Sequence, residues 1–116
     1  MILIARIYEP SKKNKGWRVL VDRLWPRGVK KDAARVDHWM KEIAPSNALR
    51  KWFGHKPERW EEFQRRYREE LAKKKEMIAM LRVMERKHGT LTLLFGAKDE
   101  EHNQAVVLRD LLQAKA

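Results

Sequence analysis

The stretch GWRVLVDRLWPRG, residues 16–28, decides the fold, because it has the pattern of a buried strand that runs directly into a charged loop. Residues 17–21 are almost all apolar, which is typical of a strand covered on both faces. The charged pair Asp22 and Arg23 follows at once, and Pro26 with a nearby glycine prevents the chain from continuing as strand or helix. Opposite charges at the end of a core strand indicate a ligand site, because α/β proteins bind ligands there.

A second core strand is predicted over residues 90–95, TLTLLF, and it too ends in polar residues. The helical pattern between the two strands predicts a crossover connection, so the strands should be parallel. Their carboxyl ends then share one edge of the sheet. The residues expected to meet at that edge are Asp22, Arg23, Arg27, Lys98, Asp99, His102 and Asn103.

The rest of the chain supplies one more strand and several helices. The predicted elements are a strand over 2–8, an exposed loop over 9–16, a short helix from Lys30 to Glu42 that could be divided in two around Asp37, a helix over 47–53 capped by Ser46 and ended by Gly54, helices from Pro57 to His88 with a break near 73–76, and a last helix from Glu100 to Ala114 capped by Asp99. The direction of the first strand stays open. This order predicts an α/β, Rossmann-like layered single domain with a small, three-stranded, at least partly parallel sheet.

Charge is the dominant feature of the composition. The 116 residues include 27 Lys and Arg against 16 Asp and Glu, a formal net charge of +11. A positive field of this size attracts phosphates, nucleic acid or acidic metabolites, although many charged residues and no cysteine also fit a heat-tolerant protein. The absence of cysteine excludes disulfides and thiolate nucleophiles. No apolar run approaches the roughly 20 residues of a membrane span, and the N-terminus does not resemble a signal peptide, so we predict a cytoplasmic protein.

The candidate catalytic residues are Asp22, His102 and Asp99. Asp22 could act as a general base, or it could simply form an ion pair that closes the strand end. His102 lies at a predicted strand-helix junction and titrates in the range that suits acid-base work, although it could equally be a surface histidine. Asp99 and His102 alone are too few ligands for zinc, so we predict neither a metal nor another cofactor.

The candidate ligand-binding residues are Arg23, Arg27, Lys98, Asn103 and Trp25. Arg23 and Arg27 could hold a phosphate or carboxylate, with the rigid Trp25 and Pro26 between them. Free backbone N–H groups at the start of the last helix would favour an anion near Lys98 and Asn103. Trp25 could stack on a base, although aromatic residues of this kind usually pack in the core.

Three long blocks of sequence carry a family resemblance that spans nearly the whole chain. They are VLVDRLWPRG at 19–28, APS..LRKWFGH.P.RW.EF..RY at 44–67 and LLFGAKDEEHNQAVVL at 93–108. They closely resemble the short, YeaO-like branch of the domain of unknown function 488 family. The resemblance implies a small cytosolic α/β protein of a family without an established activity. Longer relatives carry cysteines near positions where this chain has Gly96 and Asn103, so thiol chemistry is not carried over.

Three functions remain open from the sequence. The first is a small enzyme acting on an anionic, nucleotide-like or nucleic-acid substrate at the shared strand edge. The second is a nucleic-acid-binding module without catalysis, although no helix-turn-helix or RNA-recognition motif is present. The third is an interaction protein that docks an acidic partner. We rank the enzyme first, and the sequence leaves the oligomeric state undetermined.

Overall fold

The computed structural model describes residues 1–9 and 16–114, without the side chains of residues 32 and 33. Its elements are β1 (Ile2–Arg6), β2 (Trp17–Leu20), α1 (Lys31–Ala34), β3 (His38–Trp39), α2 (Asn47–Phe53), α3 (Trp60–Leu71), α4 (Lys75–His88), β4 (Leu91–Phe95) and α5 (Gln104–Gln113). Short 3-10 helices at Lys41–Ile43 and Pro57–Arg59 precede α2 and α3. Most of the loop predicted over 9–16 lies outside the described residues.

The strands among the described residues form one parallel sheet of four strands in the order β1-β4-β2-β3. The predicted α/β class and the parallel pairing of β2 with β4 are therefore confirmed. The first strand, whose direction the sequence left open, runs parallel to β4. The prediction of three strands was wrong, because β3 adds a fourth. Its two residues are too few to show a strand periodicity, and only their pairing with Val19 and Leu20 makes them a strand.

Both faces of the sheet are covered by apolar side chains. The larger layer contains Val19, Val21, Leu91, Leu93 and Phe95 from the strands and strand ends, with Phe63, Tyr67, Leu71, Leu81 and Leu108 from the helices. The smaller layer contains Leu20 and Leu94 from the sheet, with Trp25, Ala34 and Trp39 from the segment that follows β2. Because both faces are covered, polar groups of the central strands reach solvent mainly beyond the strand ends. A ligand can therefore reach polar groups of these strands only at the edge of the sheet where the strands end.

The helix predicted from Lys30 to Glu42 is replaced by three shorter pieces. Arg35 takes a left-handed conformation with φ of 51°, which ends α1 after one turn. The next residues then align with β2, where the Asp37 carboxylate accepts a hydrogen bond from the Arg18 amide at 2.9 Å. The apolar spacing that predicted a helix arises because Ala34 and Trp39 pack on the sheet from different elements.

The other helix boundaries agree with the prediction except at the last helix. Ser46 Oγ accepts a hydrogen bond from the Leu49 amide at 3.2 Å, and Gly54 ends α2 with φ of 53°, so both predicted caps are confirmed. The break between α3 and α4 lies at 72–74, next to the predicted position. Among the described helices, none has both the length and the apolar character that crossing a bilayer requires.

Candidate functional site

A cavity of about 590 Å³ lies where the carboxyl ends of β2 and β4 meet the beginning of α5. Among the predicted site residues, those that line the cavity are Asp22, Arg23, Trp25, Arg27, His102 and Asn103. Lys98 and Asp99 follow β4 closely but do not belong to the lining. The structure therefore brings together residues that are about eighty positions apart in the chain, at the edge where the parallel strands end.

Asp22 is the acidic residue of the cavity lining, and two donors from other elements hold its carboxyl group. Its Oδ2 accepts a hydrogen bond from the Gly96 amide at 2.9 Å, and its Oδ1 accepts one from Gln104 Nε2 at 2.5 Å. Burial raises the pKa of Asp22 to about 6, although both hydrogen bonds favour the ionised form. The carboxyl group therefore changes its charge close to neutral pH.

Gly96 leaves the space that the Asp22 carboxyl group occupies. A Cβ built at Gly96 would lie 2.8 Å from Asp22 Oδ2, which is closer than a carbon and an oxygen approach without a hydrogen bond. Any larger residue at position 96 would therefore push the carboxyl group away from the Gly96 amide. The carboxyl group that follows β2 thus packs directly against the glycine that follows β4.

Asp99 and Asn103 fix the chain between β4 and α5. Asp99 Oδ1 accepts hydrogen bonds from the amides of Glu101 and His102, while Asn103 Oδ1 accepts from the amides of Ala105 and Val106. The last helix consequently begins at Gln104, whereas the sequence predicted a start at Glu100. The prediction that free amides there favour an anion was wrong, because side-chain oxygens already accept from these four amides.

His102 is oriented by Asp99 and presents its ring to the cavity. The His102 Nδ1 and Asp99 Oδ2 lie 2.8 Å apart, and the ring meets Trp60 edge to face with centroids separated by 5.2 Å. Burial opposes ionisation of Asp99, but hydrogen bonds from the Glu101 amide and from His102 outweigh it and hold the pKa of Asp99 below its usual value. Asp99 is thus a positioning residue, placed beside the cavity but not in its lining.

Arg23 contributes charge to the lining, but its hydrogen bonds go to the protein backbone. Its Nε donates to the Pro45 carbonyl at 3.1 Å and its second terminal nitrogen donates to the Ala44 carbonyl at 3.1 Å. Lys74 donates to the same Ala44 carbonyl and to that of Glu42. These contacts hold the segment before α2 against the cavity. They leave Arg23 less free than Arg27 to bind a ligand.

Arg27, Arg50 and His55 supply the other basic groups of the lining. All three are exposed, and within the described part of the chain no carboxylate lies within ion-pair distance of either arginine. His55 has φ of 57°, a left-handed conformation that is uncommon outside glycine and asparagine. Strain of this kind is found disproportionately at binding sites, so it draws attention to the turn after α2.

The apolar part of the lining is rich in aromatic rings. Phe53 and Phe63 are buried and stack with centroids 4.4 Å apart. Trp25 is half-buried and its Nε1 donates to the Val29 carbonyl at 2.7 Å, which fixes the ring. The cavity therefore combines flat apolar walls with basic groups, an arrangement that suits a ligand with a ring and a negative charge.

Sequence reasoning missed several lining residues. Gln104, which bonds Asp22, stands next to the predicted Asn103, but its role depends on where α5 begins. Arg50, Phe53 and His55 belong to α2 and its following turn. Their basic and aromatic character was visible, but no pattern in the sequence indicates that α2 packs at this edge of the sheet.

The lining allows proton exchange and charge binding. Asp22, with its pKa raised to about 6, is the group that exchanges a proton near neutral pH, and His102 and His55 add imidazole rings to the lining. Among the lining residues the structure describes, the only hydroxyl group belongs to Tyr8, and there is no thiol. The described residues also contain no group of three or more acidic or histidine side chains placed to hold a metal ion.

Comparisons with known proteins point to one family. A family model described as the inactive DUF488-N3 subclade matches residues 1–116. The chain is similar to the uncharacterized protein YeaO of Escherichia coli, with 42% identity over 113 residues that cover 97% of both chains. It is also similar to uncharacterized proteins of Mycobacterium tuberculosis and Mycobacterium bovis, with 39% identity covering 98% of this chain and 95% of theirs. No solved structure is significantly similar.

Proposed function

Because the chain belongs to the inactive DUF488-N3 subclade, we propose that its cavity binds a small anionic, nucleotide-like ligand and releases it chemically unchanged. The observation that carries this proposal is the combination of aromatic walls with unpaired cations in one lining. A flat ring fits against the half-buried Trp25, while a phosphate fits the guanidinium groups of Arg27 and Arg50. The volume of about 590 Å³ lies within the roughly 300–1,000 Å³ of small-molecule sites.

The hydrogen bonds of the acid-base candidates favour binding over catalysis. Both oxygens of Asp22 accept hydrogen bonds that join β2 to β4 and α5. One nitrogen of His102 is paired with Asp99. These contacts give both residues a structural role that is independent of any reaction, and the family description agrees with a protein that does not turn over a substrate.

An enzyme acting on the same class of ligand is the second candidate. The observation in its favour is the Asp22 pKa of about 6, because a carboxyl group that titrates near neutral pH in a cavity is suited to general acid-base catalysis. Docking of an acidic protein has less support, because the aromatic walls of the lining fit a flat ring better than a carboxylate side chain.

Calorimetric titration with nucleoside monophosphates tests the binding proposal. The probes are the four ribonucleoside 5′-monophosphates, the matching nucleosides and inorganic phosphate. We expect the monophosphates to bind more tightly than the nucleosides or phosphate. Arg27→Gln and Arg50→Gln should each weaken that binding about tenfold or more, because a charged hydrogen bond is lost. Arg86→Gln, an exposed change of the same type on α4, should have no effect.

Two results would contradict the binding proposal. One is the absence of saturable binding by any monophosphate, and the other is an equal loss of affinity in Arg86→Gln and Arg27→Gln. Product formation separates the enzyme from the binding protein. If long incubation of the monophosphates yields a product by chromatography, and Asp22→Asn abolishes it, the protein is an enzyme and the claim of unchanged release is wrong.

A further inference from the structure

Two short segments, residues 23–31 and 50–56, contain basic residues without any acidic one, and we call them the basic segments. Together they contain seven of the 27 basic residues and none of the 16 acidic ones, so they supply seven of the +11 net charge. The rest of the chain carries the other 20 basic residues together with all 16 acidic ones. Segments without acidic residues differ from the interspersed charges of both signs that keep a surface soluble.

Both basic segments border the same cavity. The first contributes Arg23, Trp25 and Arg27 to its lining, and the second contributes Arg50 and His55. Four lysines of these segments, all exposed, stand outside the lining; they are Lys30, Lys31, Lys51 and Lys56. The positive surface therefore continues beyond the cavity along both segments.

The four lysines outside the lining differ from Arg65 and Arg66 of α3 in having no acidic partner among the described residues. On α3, Glu62 accepts hydrogen bonds from Arg65 and Arg66, which lower the pKa of Glu62 to about 2. In contrast, no ion pair with a described residue involves any of the four lysines. Unpaired cations beside a cavity are available to several phosphates at once.

Aromatic rings accompany the cations outside the cavity. The Lys31 ammonium lies 5.7 Å from the centre of the Trp25 ring, and the Trp25 ring meets Trp39 edge to face at 5.4 Å. The Lys41 ammonium in turn lies 5.5 Å from the Trp39 ring. Alternation of basic groups and flat rings is the pattern by which proteins hold single strands, because phosphates meet the cations while bases stack.

We infer that the ligand of the cavity is one nucleotide of a single-stranded nucleic acid, whose neighbouring phosphates lie along the two basic segments. This inference rests on the proposed function and extends it from a free nucleotide to a strand. A cavity of about 590 Å³ has room for one base, and a base inside a duplex cannot enter it without being extruded. The four lysines outside the lining then bind the phosphates on either side of the inserted nucleotide.

Fluorescence anisotropy with labelled ten-nucleotide DNA and RNA strands tests this inference. We expect a strand to bind at least a hundredfold more tightly than the corresponding mononucleotide. A variant with Lys30→Gln, Lys31→Gln, Lys51→Gln and Lys56→Gln should lose most of that gain while keeping its mononucleotide affinity. Each phosphate contact on a single strand contributes about 0.7 to the slope of log affinity against log salt concentration. Because four contacts are lost, the slope measured for this variant should be less steep than that of the unmodified protein by about 3.

A charge-matched variant provides the control. It carries Lys73→Gln, Lys75→Gln, Arg86→Gln and Lys87→Gln, all at exposed positions outside the cavity lining. This control variant should bind strands as the unmodified protein does. An equal loss of affinity in the two variants would overturn the inference, as would equal binding of a duplex or of an abasic strand of the same length. If mononucleotides bind but strands bind no more tightly, the inference fails while the proposed function stands.

Discussion

Asp22 shows how a single carboxyl group is controlled by residues distant in sequence. Its position at the end of β2 could be predicted from residues 17–22 alone, because apolar residues stop there and charges begin. Its partners Gly96 and Gln104 could not be predicted, since both hydrogen bonds depend on how β4 and α5 meet β2. Consequently the sequence located the residue but not its raised pKa.

Asp22→Asn should change how stability depends on pH. In the unfolded chain this carboxyl group ionises near 3.8, but in the folded chain it keeps its proton until about pH 6. Between those values the folded state holds a proton that the unfolded state has released. Raising the pH through this window therefore lowers the stability that Asp22 contributes, by up to about 3 kcal/mol.

Urea unfolding at about pH 4.5 and about pH 7.5 measures this effect as a difference between variant and unmodified protein. The Asp22→Asn variant should gain stability relative to the unmodified protein as the pH rises. Asp110→Asn, a change of the same type at an exposed position of α5, should show no such gain. Parallel pH profiles for Asp22→Asn and the unmodified protein would contradict the burial of this carboxyl group.

Gly96→Ala should destabilise the protein by about 1–3 kcal/mol, because the new Cβ displaces the Asp22 carboxyl group from the Gly96 amide. A double-mutant cycle separates this cause from a general effect at position 96. In an Asp22→Ala background the same change should cost much less, since no carboxyl group remains to be displaced. If Gly96→Ala lowers the free energy of unfolding equally in both backgrounds, as measured by urea unfolding, the Asp22 carboxyl group is not what the new Cβ displaces.

At the scale of elements, the helix ends that depend on neighbouring residues alone could be predicted from the sequence. The Ser46 cap and the glycine end of α2 follow from local hydrogen bonding and backbone freedom, so the sequence specifies both. The region 30–42 was misassigned, because its short strand exists only through pairing with β2. The start of α5 was misplaced since Asp99 and Asn103 are equally good caps in sequence.

Asn103→Ala should lower the free energy of unfolding by about 1–2 kcal/mol, because α5 loses the oxygen that accepts from two amides in a buried place. Asn103→Ser retains a capping oxygen and should recover part of that stability. Thermal or urea unfolding of the two variants measures the difference. Equal stability of Asn103→Ala and the unmodified protein would show that the cap does not determine where α5 begins.

At the scale of the whole molecule, the parallel sheet places the candidate site at one edge. The strands deliver their carboxyl ends to one edge, and the two basic segments converge on that edge through β2 and α2. The parallel arrangement was predictable from the order of strands and helices. The contribution of α2 was not, because its packing at this edge depends on the complete fold, including the contacts of Arg23 with Ala44 and Pro45.

The most direct test of the account is a nitrogen-15 NMR titration of the unmodified protein with adenosine and uridine 5′-monophosphates. If the cavity is the binding site, saturable shifts should be concentrated in the amides of residues 22–29, 50–55 and 96–104, with little change along α4. The account would be contradicted by the largest shifts falling on α3 and α4, or by shifts that spread evenly over the surface without saturating.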